Sequence, residues 1–93
     1  MRLLKDIYNI ILYYNKPKHC VMHNQVIRDL VVSLYKLGYT ILNYDHITLS
    51  IKKTDFPLYY RGKKYDIVVS SNNYIIFIEV KTVSKNRINK GKE

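Results

Sequence analysis

Apolar residues recur at three- and four-residue steps through Val26, Ile27, Leu30, Val31 and Leu34. That is one stripe of a helix, and it predicts helical structure over roughly 19–37. Gly38 follows where a left-handed stop is expected. Upstream, residues 3–14 predict a shorter helix, apolar over most of its circumference. It ends at Asn15-Lys16-Pro17-Lys18 because proline disfavours helical geometry in the residue before it. Beyond Gly38 the period changes to two. Residues 39–44 predict a strand, and Ile47, Leu49 and Ile51 alternate with Thr48, Ser50 and Lys52. Residues 54–61, with Pro57, read as an irregular or edge segment. Two stronger strands follow at 64–69 and 74–82, joined by Ser70-Ser71-Asn72-Asn73, a composition that suits a hairpin turn. The unbroken apolar run 74–78 implies a strand buried on both faces at the middle of the sheet.

Helices first and a sheet afterwards make this an α/β (α+β) chain, and its 93 residues suffice for one domain. We divide it into an extra N-terminal helix (1–17), a core (19–82) and a basic, flexible tail (83–93). Only Val83 and Ile88 are sizeable apolar residues beyond position 82. A domain of this size buries only about two-thirds of its unfolded surface, so the core is modest. No apolar run approaches the roughly 20 residues that span a bilayer. The start Met1-Arg2-Leu3-Leu4-Lys5-Asp6 meets charge too early for a secretory signal. A single cysteine excludes an internal disulfide framework and fits a reducing, intracellular setting. Ile, Tyr, Lys and Asn abound while Ala and Trp are missing, a bias towards AT-rich codons that suits a viral or archaeal gene. Sixteen Lys and Arg against seven Asp and Glu leave a net charge of +9. Such an excess favours a polyanion such as DNA through counterion release and steering, with a basic protein lacking any such partner as the alternative.

The stretch Tyr74-Ile75-Ile76-Phe77-Ile78-Glu79-Val80-Lys81-Thr82 carries the candidate chemistry. Glu79 and Lys81 stand two apart, on the strand face shared with Ile75 and Phe77. Hairpin parity brings in Asp66. A four-residue loop pairs Val69 with Tyr74 and Asp66 with Phe77, and a two-residue Asn72-Asn73 turn pairs Asp66 with Glu79. Either even-numbered turn places Asp66 on the face of Glu79 and Lys81, with Cβ atoms about 4.5–8 Å apart. Two carboxylates so close can share one cation. Magnesium takes oxygen ligands, commonly one or two carboxylates with water and substrate phosphate. A neighbouring ammonium can orient the nucleophile or stabilise the transition state. The plain alternative is a Glu79–Lys81 ion pair at a strand end with Asp66 in a turn-proximal hydrogen bond. Such a pair gains little once desolvation is counted, a weak reason to interrupt an apolar strand.

These residues resemble the PD-(D/E)XK nuclease superfamily, the restriction-endonuclease-like fold. The match is carried by Tyr65-Asp66-Ile67-Val68-Val69 and by Ile75-Ile76-Phe77-Ile78-Glu79-Val80-Lys81. The thirteen-residue step from Asp66 to Glu79 is similar to that of archaeal Holliday-junction resolvases. Tyr60-Arg61-Gly62-Lys63-Lys64 looks like small family members of the GxxExY type. The likeness covers roughly residues 20–82. It implies a reduced core of N-terminal helices followed by a small, mostly antiparallel sheet. It further implies Mg²⁺ or Mn²⁺ held by Asp66, Glu79 and the carbonyl of Val80, with Lys81 positioning the attacking water. The implied reaction is hydrolysis of DNA phosphodiester bonds, including those of branched or structured DNA. The partners are then DNA and a second copy of the chain, with no membrane and no small-molecule cofactor.

The chain departs from the pattern in three ways. Tyr65 stands where the family often has Pro. No Glu precedes position 79, although the family's first helix commonly supplies one, and Gln25, ahead of Asp29, is the candidate stand-in. The family core continues past the ExK strand with a helix and a strand that residues 83–93 are too few to supply, a role left to helix 3–14 or a second subunit. These departures keep open a non-catalytic nucleic-acid-binding or assembly protein on the same fold, or a regulator that binds protein. Lys52, Lys53, Arg61, Lys63 and Lys64 lead up to Asp66, and Lys85 and Arg87 follow the ExK strand, as phosphate contacts would require. Tyr59 and Tyr60 suit stacking on unpaired bases, though most of the ten tyrosines are expected in core and edge positions. His19-Cys20-x-x-His23 has a zinc-compatible spacing but supplies only three local ligands, so an incidental grouping at a helix start is preferred.

Overall fold

The switch from a helical to a two-residue period orders the chain as helices, then sheet. The structure, a computed structural model, describes residues 2–12 and 23–81. Among them, α1 spans Arg2–Leu12 and α2 spans His23–Lys36. The strands are β1 (Thr40–Tyr44), β2 (Tyr59–Tyr60), β3 (Lys63–Lys64), β4 (Ile67–Ser71) and β5 (Tyr74–Ile78). Strands β1, β4 and β5 form a three-stranded antiparallel sheet in the order β1-β4-β5, and β2 and β3 form a separate two-stranded hairpin.

The α2 stripe is buried as its spacing predicts: Val26, Ile27, Leu30, Val31 and Leu34 all lie in the core. Its last turn closes as a Schellman motif. Gly38 adopts φ 96°, its N–H donates to the Tyr35 carbonyl, and the Tyr39 N–H donates to the Leu34 carbonyl. Helix α1 turns Leu3, Ile7 and Ile10 to the core and leaves Leu4 and Tyr8 exposed, so an all-round apolar sequence buries one face. The Tyr39 hydroxyl donates to the Asp6 carboxylate at 2.6 Å and fastens α1 to the start of β1. That hydrogen bond to Asp6 also raises the phenol's pKa above its ordinary value.

The central strand is β4, in which Ile67, Val68 and Val69 are buried in succession. This corrects the expectation that residues 74–82 form the middle strand. Among the described residues β5 pairs with β4 alone, ends at Ile78, and exposes Tyr74 and Ile75. Its apolar run serves two surfaces instead. Ile76 and Ile78 pack against the core, while Phe77 meets the rings of Phe56, Tyr60 and Tyr65 on the other side.

The alternation over 47–52 forms no strand, and Ile47 is 99% exposed. The reason lies in β1. A bulge between Ile41 and Asn43 frees the Leu42 carbonyl, which accepts from both the N–H and the hydroxyl of Thr54. The Asn43 amide donates to the Phe56 carbonyl, and the Tyr44 hydroxyl lies within hydrogen-bond distance of the carbonyls of Leu49 and Ile51. Residues 45–58 thus become an irregular strap that finds backbone partners without a ladder. The segment expected to be irregular over 54–61 ends in the β2–β3 hairpin. Its turn residues Arg61 and Gly62 both have positive φ, 51° and 79°, the backbone that a two-residue hairpin turn favours. Among the described residues no helix is long and apolar enough to cross a membrane.

Candidate active site

The β4–β5 connection is the tighter of the two even-numbered turns. Ser71 pairs with Tyr74, and Asn72, at φ 55°, takes the left-handed conformation that asparagine tolerates. Pairing then runs to Ile67 opposite Ile78. One step further, an unbroken ladder would set Asp66 opposite Glu79.

Asp66 leaves the ladder at that step and ties three strand ends together. Its carbonyl accepts from the Asp45 N–H at 2.9 Å, and its own N–H donates to the Ile78 carbonyl at 2.9 Å. Its Oδ2 accepts from the Val80 N–H at 2.7 Å. A carboxylate that takes a backbone N–H of the neighbouring segment stands where a ladder carbonyl would, in the gap at the end of the sheet. His23, at the start of α2, closes this group. Its Nε2–H donates to the Val80 carbonyl at 2.8 Å, and the same nitrogen lies 3.4 Å from Asp66 Oδ2.

Glu79 has other partners. One carboxylate oxygen is hydrogen-bonded by the Lys63 ammonium from β3, and the other lies 3.5 Å from Lys81 Nζ. The Lys63 hydrogen bond, with smaller help from Lys81, holds the Glu79 carboxyl below the ordinary glutamate range. The same bond raises the Lys63 ammonium above its usual value. The sequence-predicted acids have separate partners: Asp66 is held by the Val80 N–H and His23 from α2, and Glu79 by Lys63 from β3 and by Lys81. Among the described residues, no three His, Cys, Asp or Glu side chains are grouped so that they could hold a metal ion. The donors that magnesium prefers are nevertheless all oxygens, and Asp66, Glu79 and the Val80 carbonyl supply two carboxylates and a carbonyl at adjacent strand ends. That set fits an open site completed by water and phosphate. A cation arriving there would compete with Lys63 for the Glu79 carboxylate.

Gln25 is exposed, and Asp29 is half-buried and already engaged. The α2 residue that reaches the strand ends is His23, which sequence reasoning weighed only as half of a zinc spacing. A signal existed: His23 precedes Val26, Ile27 and Leu30 by three, four and seven residues, so it extends the buried stripe by one turn. Lys52, Lys53, Arg61, Lys63 and Lys64 are all exposed. Lys64 pairs with Asp45 at 3.3 Å, and the Lys53 ammonium lies 4.8 Å from the centre of the Tyr44 ring. Lys85, Arg87, His19 and Cys20 lie outside the described residues. A polar hollow of about 320 Å³ lined by Gly38, Thr40, Ser70 and Asn72 opens at the opposite end of the sheet, away from both acids.

Comparison of the chain with protein-family models, curated proteins and solved structures gives no match.

Proposed function

We propose that this chain is a metal-dependent nuclease of the PD-(D/E)XK type that hydrolyses DNA phosphodiester bonds. One observation carries the proposal: a two-residue turn sets Asp66 and Glu79-Val80-Lys81 at the adjacent ends of β4 and β5, beside the start of α2. A helix followed by three antiparallel strands, with the ExK segment at the end of the third, is the arrangement that the sequence resemblance implies. Asp66, Glu79 and the Val80 carbonyl would hold Mg²⁺ or Mn²⁺, which supplies Lewis-acid stabilisation of the phosphoryl oxygens and a more acidic water. Lys81, exposed and next to Glu79, orients the attacking water. His23 fixes the direction of the Val80 carbonyl. Lys63 and Lys64, exposed on β3, would contact the phosphates on either side of the scissile bond. A homodimer would offer two such sites to two strands.

Cleavage of supercoiled plasmid and of a labelled four-way junction, with Mg²⁺ or Mn²⁺ and with EDTA, tests the assignment. We expect metal-dependent cutting by the wild type and none by Asp66→Ala or Glu79→Ala. A nucleic-acid-binding protein without chemistry is the second reading, favoured by the basic partners that already occupy both acids. Absence of metal-dependent cutting, with DNA binding undiminished in both variants, would select it.

A further inference from the structure

The β2–β3 hairpin lies over the outer face of β5 in a consistent order. Tyr60 packs on Phe77 at a 35° tilt, with ring centroids 5.0 Å apart, and its hairpin partner Lys63 reaches Glu79, two residues past Phe77 and just beyond the end of β5. Tyr65 and Phe56 flank Phe77 at 5.4 and 6.1 Å, so four rings form one aromatic group against the candidate site. This group is not sealed. Tyr60 is 47% exposed and its neighbour Tyr59 is 60% exposed. Positive charge fringes it: the Arg61 guanidinium lies 5.3 Å from the Tyr60 ring centre, and the Lys63 ammonium lies 5.4 Å from that of Tyr65. The Arg61-Gly62 turn, with both residues in left-handed geometry, holds Arg61 at the hairpin tip.

A half-exposed ring backed by other rings and topped by a guanidinium is what an apolar core has no use for. It is the combination by which proteins hold unpaired nucleotides, with bases stacking on aromatic faces and guanidinium planes while cations follow the backbone. A base pair in a duplex shows these groups only its edges and its phosphates. We propose that the β2–β3 hairpin is a stacking platform for an unpaired strand, with a base continuing the Phe77–Tyr60–Arg61 stack. The preferred nucleic acid then carries single-stranded nucleotides beside the phosphate to be cut, as a forked or branched DNA does. The placement beside a reacting phosphate rests on the nuclease reading; the binding itself does not.

The test is therefore made in EDTA, where no metal-dependent cutting occurs. Fluorescence anisotropy compares an oligo(dT) strand, a forked duplex and a blunt duplex of equal length, and 2-aminopurine placed in the unpaired arm reports stacking. We expect the strand and the fork to bind more tightly than the blunt duplex, with quenched 2-aminopurine emission. Tyr60→Leu keeps an apolar contact on Phe77 and should weaken strand binding roughly 5- to 150-fold, the span of one stacked base, with blunt-duplex binding unchanged. Tyr74→Leu, at the other end of β5, should change neither. Equal affinity for blunt duplex and single strand, or a Tyr60→Leu variant that binds and quenches like wild type, overturns the platform. Metal-dependent cutting without that discrimination refutes the platform alone. Discrimination without cutting supports the platform and refutes the nuclease alone.

Discussion

Asp66 has one job in the structure and a second under the proposed function, and substitution can pull them apart. Its carboxylate is the acceptor for the N–H of Val80, a residue only 8% exposed. Asp66→Ala leaves that N–H without its partner, a loss of about 1–3 kcal/mol. The neighbouring His23 side chain is 42% exposed, so its attraction to Asp66 adds little beyond this. With about 2 kcal/mol lost and about 4–8 °C per kcal/mol in a domain of this size, the thermal midpoint should fall by roughly 8–16 °C. Asp66→Asn retains an oxygen of the same reach and loses only the charge assistance, about half the bond, so its midpoint should fall by no more than about half as much. Chemistry ranks the variants differently. A neutral amide is a poor ligand for a hard cation, and metal stabilisation of the transition state is worth several kcal/mol, so Asp66→Asn should lose at least roughly 100-fold in cleavage. Circular-dichroism melting at neutral pH gives the first ranking. Metal-dependent cleavage, run below the midpoints of both variants, gives the second. An Asn variant that cuts like wild type would refute the role of the carboxylate in the reaction. An Ala variant that melts with wild type would refute the strand-end tie.

Two further outcomes follow from the packing and the charges. Leu34→Ala, at a fully buried position in the last turns of α2, should cost about 2–5 kcal/mol in urea unfolding, whereas Leu37→Ala, at a 46% exposed position, should change stability by no more than about 0.5 kcal/mol. The Lys63–Glu79 bond lowers the Glu79 pKa and raises that of Lys63. Its contribution is therefore complete between the ordinary values of about 4.3 and about 10.4; it fades as pH falls through the depressed Glu79 value or rises through the elevated Lys63 value. Docking of the hairpin on β5, followed by NMR shifts of Phe77 and Tyr60, should be flat across that window in wild type, and Lys63→Met should remove both limbs.

Much of the fold can be read from the sequence because it is local. The α2 stripe, the Gly38 stop and an even-numbered Asn-containing turn each depend on a few adjacent residues, and each specifies its own geometry. Parity from that turn is enough to give the β4–β5 register as far as Ile67 opposite Ile78. What is hidden depends on distant partners. The run Tyr74-Ile75-Ile76-Phe77-Ile78 has the composition of a central strand, but β4 holds that place because β1 and β5 pair with its two sides. Residues 47–52 alternate like a strand, yet the Leu42 bulge and the side chains of Asn43 and Tyr44 capture the backbone of the segment that contains them. Parity could not foresee that Asp66 would abandon the ladder and give its carboxylate to the Val80 N–H. Nor could the helical stripe alone show that His23 would end beside it, because that meeting depends on where the start of α2 lies relative to the end of the sheet.

The pairing of Glu79 with Lys63 and Lys81 is weak evidence against a metal, and the reason is charge. With 16 Lys and Arg against seven acids, most carboxylates in this chain have a cation within reach. Asp6 has Arg2, Asp45 has Lys64, and Asp66 has His23. Engagement by a base therefore does not distinguish the candidate acids from ordinary surface ones. Placement does. Asp6 serves α1 through the Tyr39 hydroxyl, and Asp45 sits 49% exposed at the exit of β1. Asp66 and Glu79 alone among these four directly adjoin the ends of two paired strands, β4 and β5. A divalent ion attracts two carboxylates more strongly than one ammonium attracts either, since its charge is double and its contact distance shorter. The lysines would then be released beside the site, free to meet phosphate.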